Sequence, residues 1–164
     1  MKNIKHLLVS IVFFVSLAGA AGPGHIWHWE DYVAKNNLWW HFGRFSAVVE
    51  GIDPSAEGFQ AEELPHPTRR VRSLKGRRTL LMWLRDLRNT WQTELAEGKA
   101  PERITGAMMK LPAGFPAAES MRVRTYDPWQ DKWVPAIVKN GEVALPEFSR
   151  SLVIRVDLGR ARVD

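Results

Sequence analysis

The chain has 164 residues, 45% of them apolar and 25% charged, which describes an ordinary globular protein of one domain or a small domain with an appendage. It is too short for a complete (β/α)8 barrel, which needs about 200 residues or more, and with no cysteine it has neither a disulfide framework nor a thiolate nucleophile or metal ligand. The formal charge is +5; setting aside Lys2 and Lys5 leaves 21 basic against 18 acidic side chains, a net of +3 that is too balanced to point to nucleic acid.

Residues 1–21 read as an export signal. Lys2 and Lys5 form the positive start, Leu7 to Leu17 the apolar run, and Ala18-Gly19-Ala20 a small-residue cleavage site. The run is shorter than the roughly 20 residues of a membrane span. The expected location is therefore periplasmic or extracellular, with no stable membrane span after cleavage.

Residues 22–54 combine an aromatic-rich segment with a helix. HIWHWEDY holds Trp27 and Trp29, and Asn36 or Asn37 is suited to cap a helix running to about Gly51. Leu38, Phe42, Phe45 and Val49 form one apolar stripe on that helix, widened by Trp39, Trp40 and Val48, which asks for a large apolar partner. Residues 55–67, rich in Glu and Pro without clear periodicity, read as a linker.

From Arg69 the hydrophobic period changes to two. Val71 to Leu74 and Thr79 to Arg85 predict a hairpin around Lys75-Gly76, the second strand with Leu80, Met82 and Leu84 on one face and Leu81 and Trp83 on the other. With both faces apolar, Trp83 is expected in the core. A loop with a helical turn is expected over Asn89 to Gly98. Further strands are predicted at Ile104 to Leu111, Met121 to Tyr126, Trp133 to Val138, Glu142 to Leu145 and Ser151 to Leu158. In the last, Leu152, Ile154, Val156 and Leu158 point inward, and Ser151, Arg155 and Asp157 outward. Asp127-Pro128 and Asn140-Gly141 are turn signals. The fold class is thus mainly β: residues 68–164 form an antiparallel β-sandwich of about seven strands, preceded by a signal-like apolar helix and one amphipathic helix.

No metal site is predicted. His25, His28, His41 and Glu30 match no standard zinc spacing and read as polar rims of an aromatic cluster. There is no Gly-rich phosphate loop and no G-x-S-x-G elbow. Arg69, Arg70, Arg72, Lys75, Arg77 and Arg78 are read as the solvated face and turn of a hairpin. Glu30 and Asp31 are sequence neighbours that a strand sends to opposite faces, while Glu50 and Asp53 end a helix. No pair of carboxylates stands out as acid and nucleophile, so no catalytic residue and no cofactor is assigned. The eight tryptophans are the unusual feature. An indole offers a broad apolar face on which a sugar ring can stack, and the candidate binding residues are Trp27 with Trp29, and Trp129 with Trp133.

GAAGPGHIWHWEDYV, followed by NNLWWHFGRFSAVVEGIDP, resembles the end of a secreted (β/α)8-barrel glycoside hydrolase of the cellulase and β-mannanase type. RTLLMWLRD, NTWQ, VRTYDPWQDKW and LPEFSRSLVIRVDL are similar to the β-sandwich often attached behind such a barrel. The resemblance implies that residues 1–21 are either a signal peptide or a barrel remnant. It also implies that Trp27 or Trp29 walls a sugar subsite and that the family's two catalytic glutamates belong to strands this chain lacks. The expected role is a non-catalytic accessory piece of a carbohydrate-active protein. Its partners would be a polysaccharide or oligosaccharide and a protein completing the barrel. The alternatives are a glycosidase active only with the missing barrel portion and a purely structural or interaction domain.

Overall fold

A computed structural model describes residues 34–35, 37, 39–90, 92–115 and 121–159. Two compact units divide the chain between Gly43 and Arg44. The apolar helix expected before residue 22, and Trp27 and Trp29, lie outside the described residues.

The chain is mainly β, with two antiparallel sheets. One is six-stranded, in the order β1 (Gln60–Leu64), β2 (Arg69–Lys75), β3 (Thr79–Asp86), β9 (Ser151–Leu158), β5 (Met121–Asp127) and β6 (Lys132–Pro135). The other runs β4 (Met108–Lys110), β8 (Glu142–Ala144) and β7 (Ile137–Lys139). Only Ala136 separates β6 from β7, so the chain changes sheet there, with the Ala136 amide donating to the Val123 carbonyl at 3.2 Å. The main core lies between the sheets: Leu80, Met82, Leu152, Ile154 and Val156 of the large sheet are fully buried together with Val143 of the small one. This is the alternation anticipated for β3 and β9, since side chains two residues apart share a face.

Asn140 and Gly141 adopt φ of 52° and 76° between Lys139 and Glu142, which face each other in the β7–β8 ladder. A two-residue turn with both φ positive suits the twist of a hairpin, and Asn-Gly is the pair that adopts it most readily.

Nine strands appear among the described residues where seven were predicted. The stretch 133–138 divides at the change of sheet, and the expected linker at 55–67 contains structure. A short helix α2 (Pro54–Glu57) is capped by Asp53, whose side chain accepts from the Ser55 and Ala56 amides, and β1 pairs along β2 from Gln60 to Leu64. Glu57 ties α2 to the β2–β3 turn: its carboxylate accepts from the Arg78 and Thr79 amides at 2.8 and 3.0 Å and from the Thr79 hydroxyl at 3.1 Å. A Cβ at Gly76 would crowd that carboxylate and come within 2.8 Å of the Phe59 ring, so a side chain there forces both to shift.

The helix α1 spans Trp39–Val49. Asn37, with φ of 51°, closes a turn through its amide back to the Ala34 carbonyl, and Asn36, the other expected cap, lies outside the described residues. Val48 is its buried residue, while Phe42, Phe45 and Val49 of the expected stripe are half-buried and Leu38 lies outside the described residues. From Arg44 onward the helix lies against the large sheet's outer face, where Val48 packs with Leu81, Tyr126 and Val153. This outer layer corrects the outward placement of Arg155, which is buried, its guanidinium donating to the carbonyls of Val48 and Glu50 at 2.9 and 2.8 Å.

Candidate functional site

The strand register composes that outer face. One row runs Glu63, Arg72, Trp83, Val153, Tyr126 and Trp133 across six strands, and a neighbouring row begins Arg70, Arg85, Ser151. Trp83 is 39% exposed, a correction to its expected place in the core. β3 is covered at Leu81 by the last turn of α1, and Trp83 lies two residues further along the same face.

Trp129 stands beside this row on the β5–β6 turn and is 41% exposed. Asp127 shapes the turn, one carboxylate oxygen accepting from the Trp129 and Gln130 amides at 2.7 and 3.0 Å. Arg44 donates to the Pro128 carbonyl at 2.6 Å, and the Trp129 indole N–H donates to the Ser151 hydroxyl at 3.0 Å. The Arg150 guanidinium lies 4.6 Å from the Trp129 ring centroid. Two half-exposed indoles are therefore held on one side of the sheet, one by a strand and one by a braced turn. Trp133 is placed differently: it packs against Tyr126, with ring centroids 4.9 Å apart, and beneath Arg124, whose guanidinium is 4.4 Å from its ring.

Arg150 also binds Glu94, on a single π-helical turn formed by Gln92–Ala96 within the loop expected at 89–98. Hydrogen bonds from Arg150 and then from Asn89 hold the Glu94 carboxyl below its ordinary 4.5, against the opposing pull of desolvation. A carboxyl depressed in the folded state contributes stability above its unfolded pKa, and that contribution disappears as pH falls through the folded value. Glu94→Gln is therefore expected to flatten the acid side of the melting-temperature profile below about pH 4.5, read by a thermal-melt series across that range.

A cleft of about 540 Å³ is lined by Asp86, Arg88, Asn89, Lys99 and Glu102 among others. Asp86 is buried and chelates Arg88, accepting from its amide at 3.1 Å and its Nε at 3.2 Å, while Glu102 is exposed and meets the other end of Arg88 at 2.5 Å. Glycoside hydrolysis needs one acid to give a proton and a second to attack or to activate water. Here the two acids share one guanidinium, and the arrangement ties the 99–102 segment to the end of β3.

Among the described residues no group of three or more His, Asp or Glu side chains is arranged to hold a metal ion, and His41 stacks on Trp40. No helix among them is long and apolar enough to cross a membrane. The sequence matches no model of a known family and no curated protein.

Proposed function

We propose that this chain is a non-catalytic accessory piece of an exported, glycoside hydrolase-like protein, and that it contacts polysaccharide through tryptophan. The observation that carries the reading is the pairing of Trp83 and Trp129 on the outer sheet face. A pyranose has an apolar C–H face, and a rigid indole accepts it with little loss of conformational entropy, because the ring is already held. The exposed Gln130 amide group and nearby guanidinium groups supply polar partners for sugar hydroxyls. The motif resemblance supports the same class of ligand.

Isothermal titration with mannan, cellulose and xylan oligomers tests this. Trp83→Ala and Trp129→Ala are each expected to weaken binding at least fivefold, about 1 kcal/mol for one lost stacking platform. Absence of binding by the parent chain to any saccharide, neutral or acidic, at millimolar ligand ends the proposal. A second reading, in which the chain completes a separately encoded barrel, is supported by Trp39 and Trp40, 51% and 41% exposed on α1.

A further inference from the structure

We infer that the saccharide taken by this face carries carboxylates, so that the ligand class is a uronate-containing polysaccharide; this rests on the tryptophan reading above. Arg70 and Arg85 stand directly opposite each other on β2 and β3, and their side chains share the outer face with Trp83. Like charges in facing positions destabilise a sheet, so the fold gains nothing from this pair. Arg72 faces Trp83 itself from β2. The acid beside Arg70 and Arg72 is Glu63, which lies 3.7 Å from each and is more than half exposed. Arg85 donates to the Asn89 carbonyl at 3.3 Å, and Arg150 lies over one face of the Trp129 ring while pairing with Glu94, leaving the other face for a ligand.

Four guanidinium groups thus stand around the two indoles, against the carboxylates of Glu63 and Glu94 and that of Asp127, which is buried and turned into the β5–β6 turn. The chain as a whole carries only a small positive excess, so the asymmetry is local to this face. A sugar ring stacked on Trp83 directs its equatorial substituents outward along the sheet, towards positions 70, 72 and 85. A hydroxyl there finds one weak partner, whereas a carboxylate matches the planar arginine fork and accepts two parallel hydrogen bonds. A nucleic acid strand shares the negative charge, but with a phosphate at every residue it calls for a longer basic track than four side chains provide.

The test compares an oligogalacturonate with a neutral oligomannoside of equal length and with a single-stranded oligodeoxynucleotide, each titrated at low and physiological salt. The uronate is expected to bind at least about fivefold tighter than the neutral oligomer, as two exposed charge-assisted contacts would give, with the advantage shrinking as salt screens the charges. Arg85→Gln is expected to reduce uronate affinity to that of the neutral oligomer without lowering the melting temperature, since it relieves the facing-charge pair. Arg103→Gln, at an exposed pair with Glu147, is expected to change nothing. Equal affinity for the uronate and the neutral oligomer overturns this inference and leaves the accessory-domain reading standing. Failure of every saccharide to bind overturns both, and tighter binding of the oligonucleotide overturns the assignment to sugar.

Discussion

Phe148→Ala is expected to destabilise the folded chain by about 3–5 kcal/mol, the range for emptying a buried aromatic site. Phe148 is 2% exposed and belongs to the core between the sheets. Its backbone also makes the isolated bridge to Ile104, with the Ile104 amide donating to the Phe148 carbonyl at 2.8 Å and the Phe148 amide returning a bond at 3.2 Å. Through that bridge, the segment leading into β4 is anchored to the chain leading into β9. Removing the ring leaves a cavity between Ile104, itself buried, and the fully buried layer of the large sheet, and close-packed walls collapse into such a space only in part. The melting temperature is expected to fall by roughly 12–20 °C for a unit of this size. Phe148→Leu, which keeps most of the volume, is expected to cost under about 1.5 kcal/mol. A loss below about 1 kcal/mol in the alanine variant would show that the bridge holds the segment without the ring's packing.

The elements anticipated correctly are those whose information is local. β3 and β9 carry uninterrupted alternation, and Asn140-Gly141 carries its turn geometry in two residues. β1 escaped notice because QAEEL has no apolar alternation to show: it is an edge strand, exposed along most of its length, held by backbone pairing that leaves little mark on side-chain identity. The division of 133–138 depends on which sheet each half joins, and the periodicity of a six-residue run does not encode that. The candidate site was legible in part. YDPWQDKW marks Trp129 through its turn signals, but the sequence places Trp83 in the core because a strand apolar on both faces is usually covered on both. Its exposure depends on where the last turn of α1 comes to rest, a tertiary fact. The available hint was the run of arginines at alternate positions of the partner strand, since Arg70 and Arg72 require an uncovered face opposite Arg85 and Trp83.

Arg155 shows the same dependence on distant partners and leads to the second large effect. In sequence it is the polar step of an alternating strand; in the fold it is 8% exposed beneath the end of α1. One nitrogen, Nη1, donates to both the Val48 and Glu50 carbonyls, and Nε donates to Asp157 at 2.9 Å. The final carbonyls of a helix have no partners within it, and a cation at that end satisfies them while opposing the negative end of the helix dipole. Arg155→Ala strips those carbonyls of their donor, in a place where Val48 is buried, and leaves Asp157 with Arg124 alone at 3.3 Å. Breaking a buried pair on one side costs about 3–5 kcal/mol. Because Asp157 is partly exposed and keeps Arg124, the lower end, about 3 kcal/mol, is expected in denaturant melts. Arg155→Lys is expected to fall between, since a single ammonium cannot span both the carbonyls and the carboxylate. Amide exchange distinguishes loss of the cap from general loosening. Residues 44–52 should lose protection in the alanine variant beyond that lost by the central amides of β3 and β9, because this guanidinium holds the end of α1 beside the apolar contacts of Val48. Uniform loss across both regions would mean that the helix end is held by its apolar contacts and that Arg155 serves the sheet as a whole.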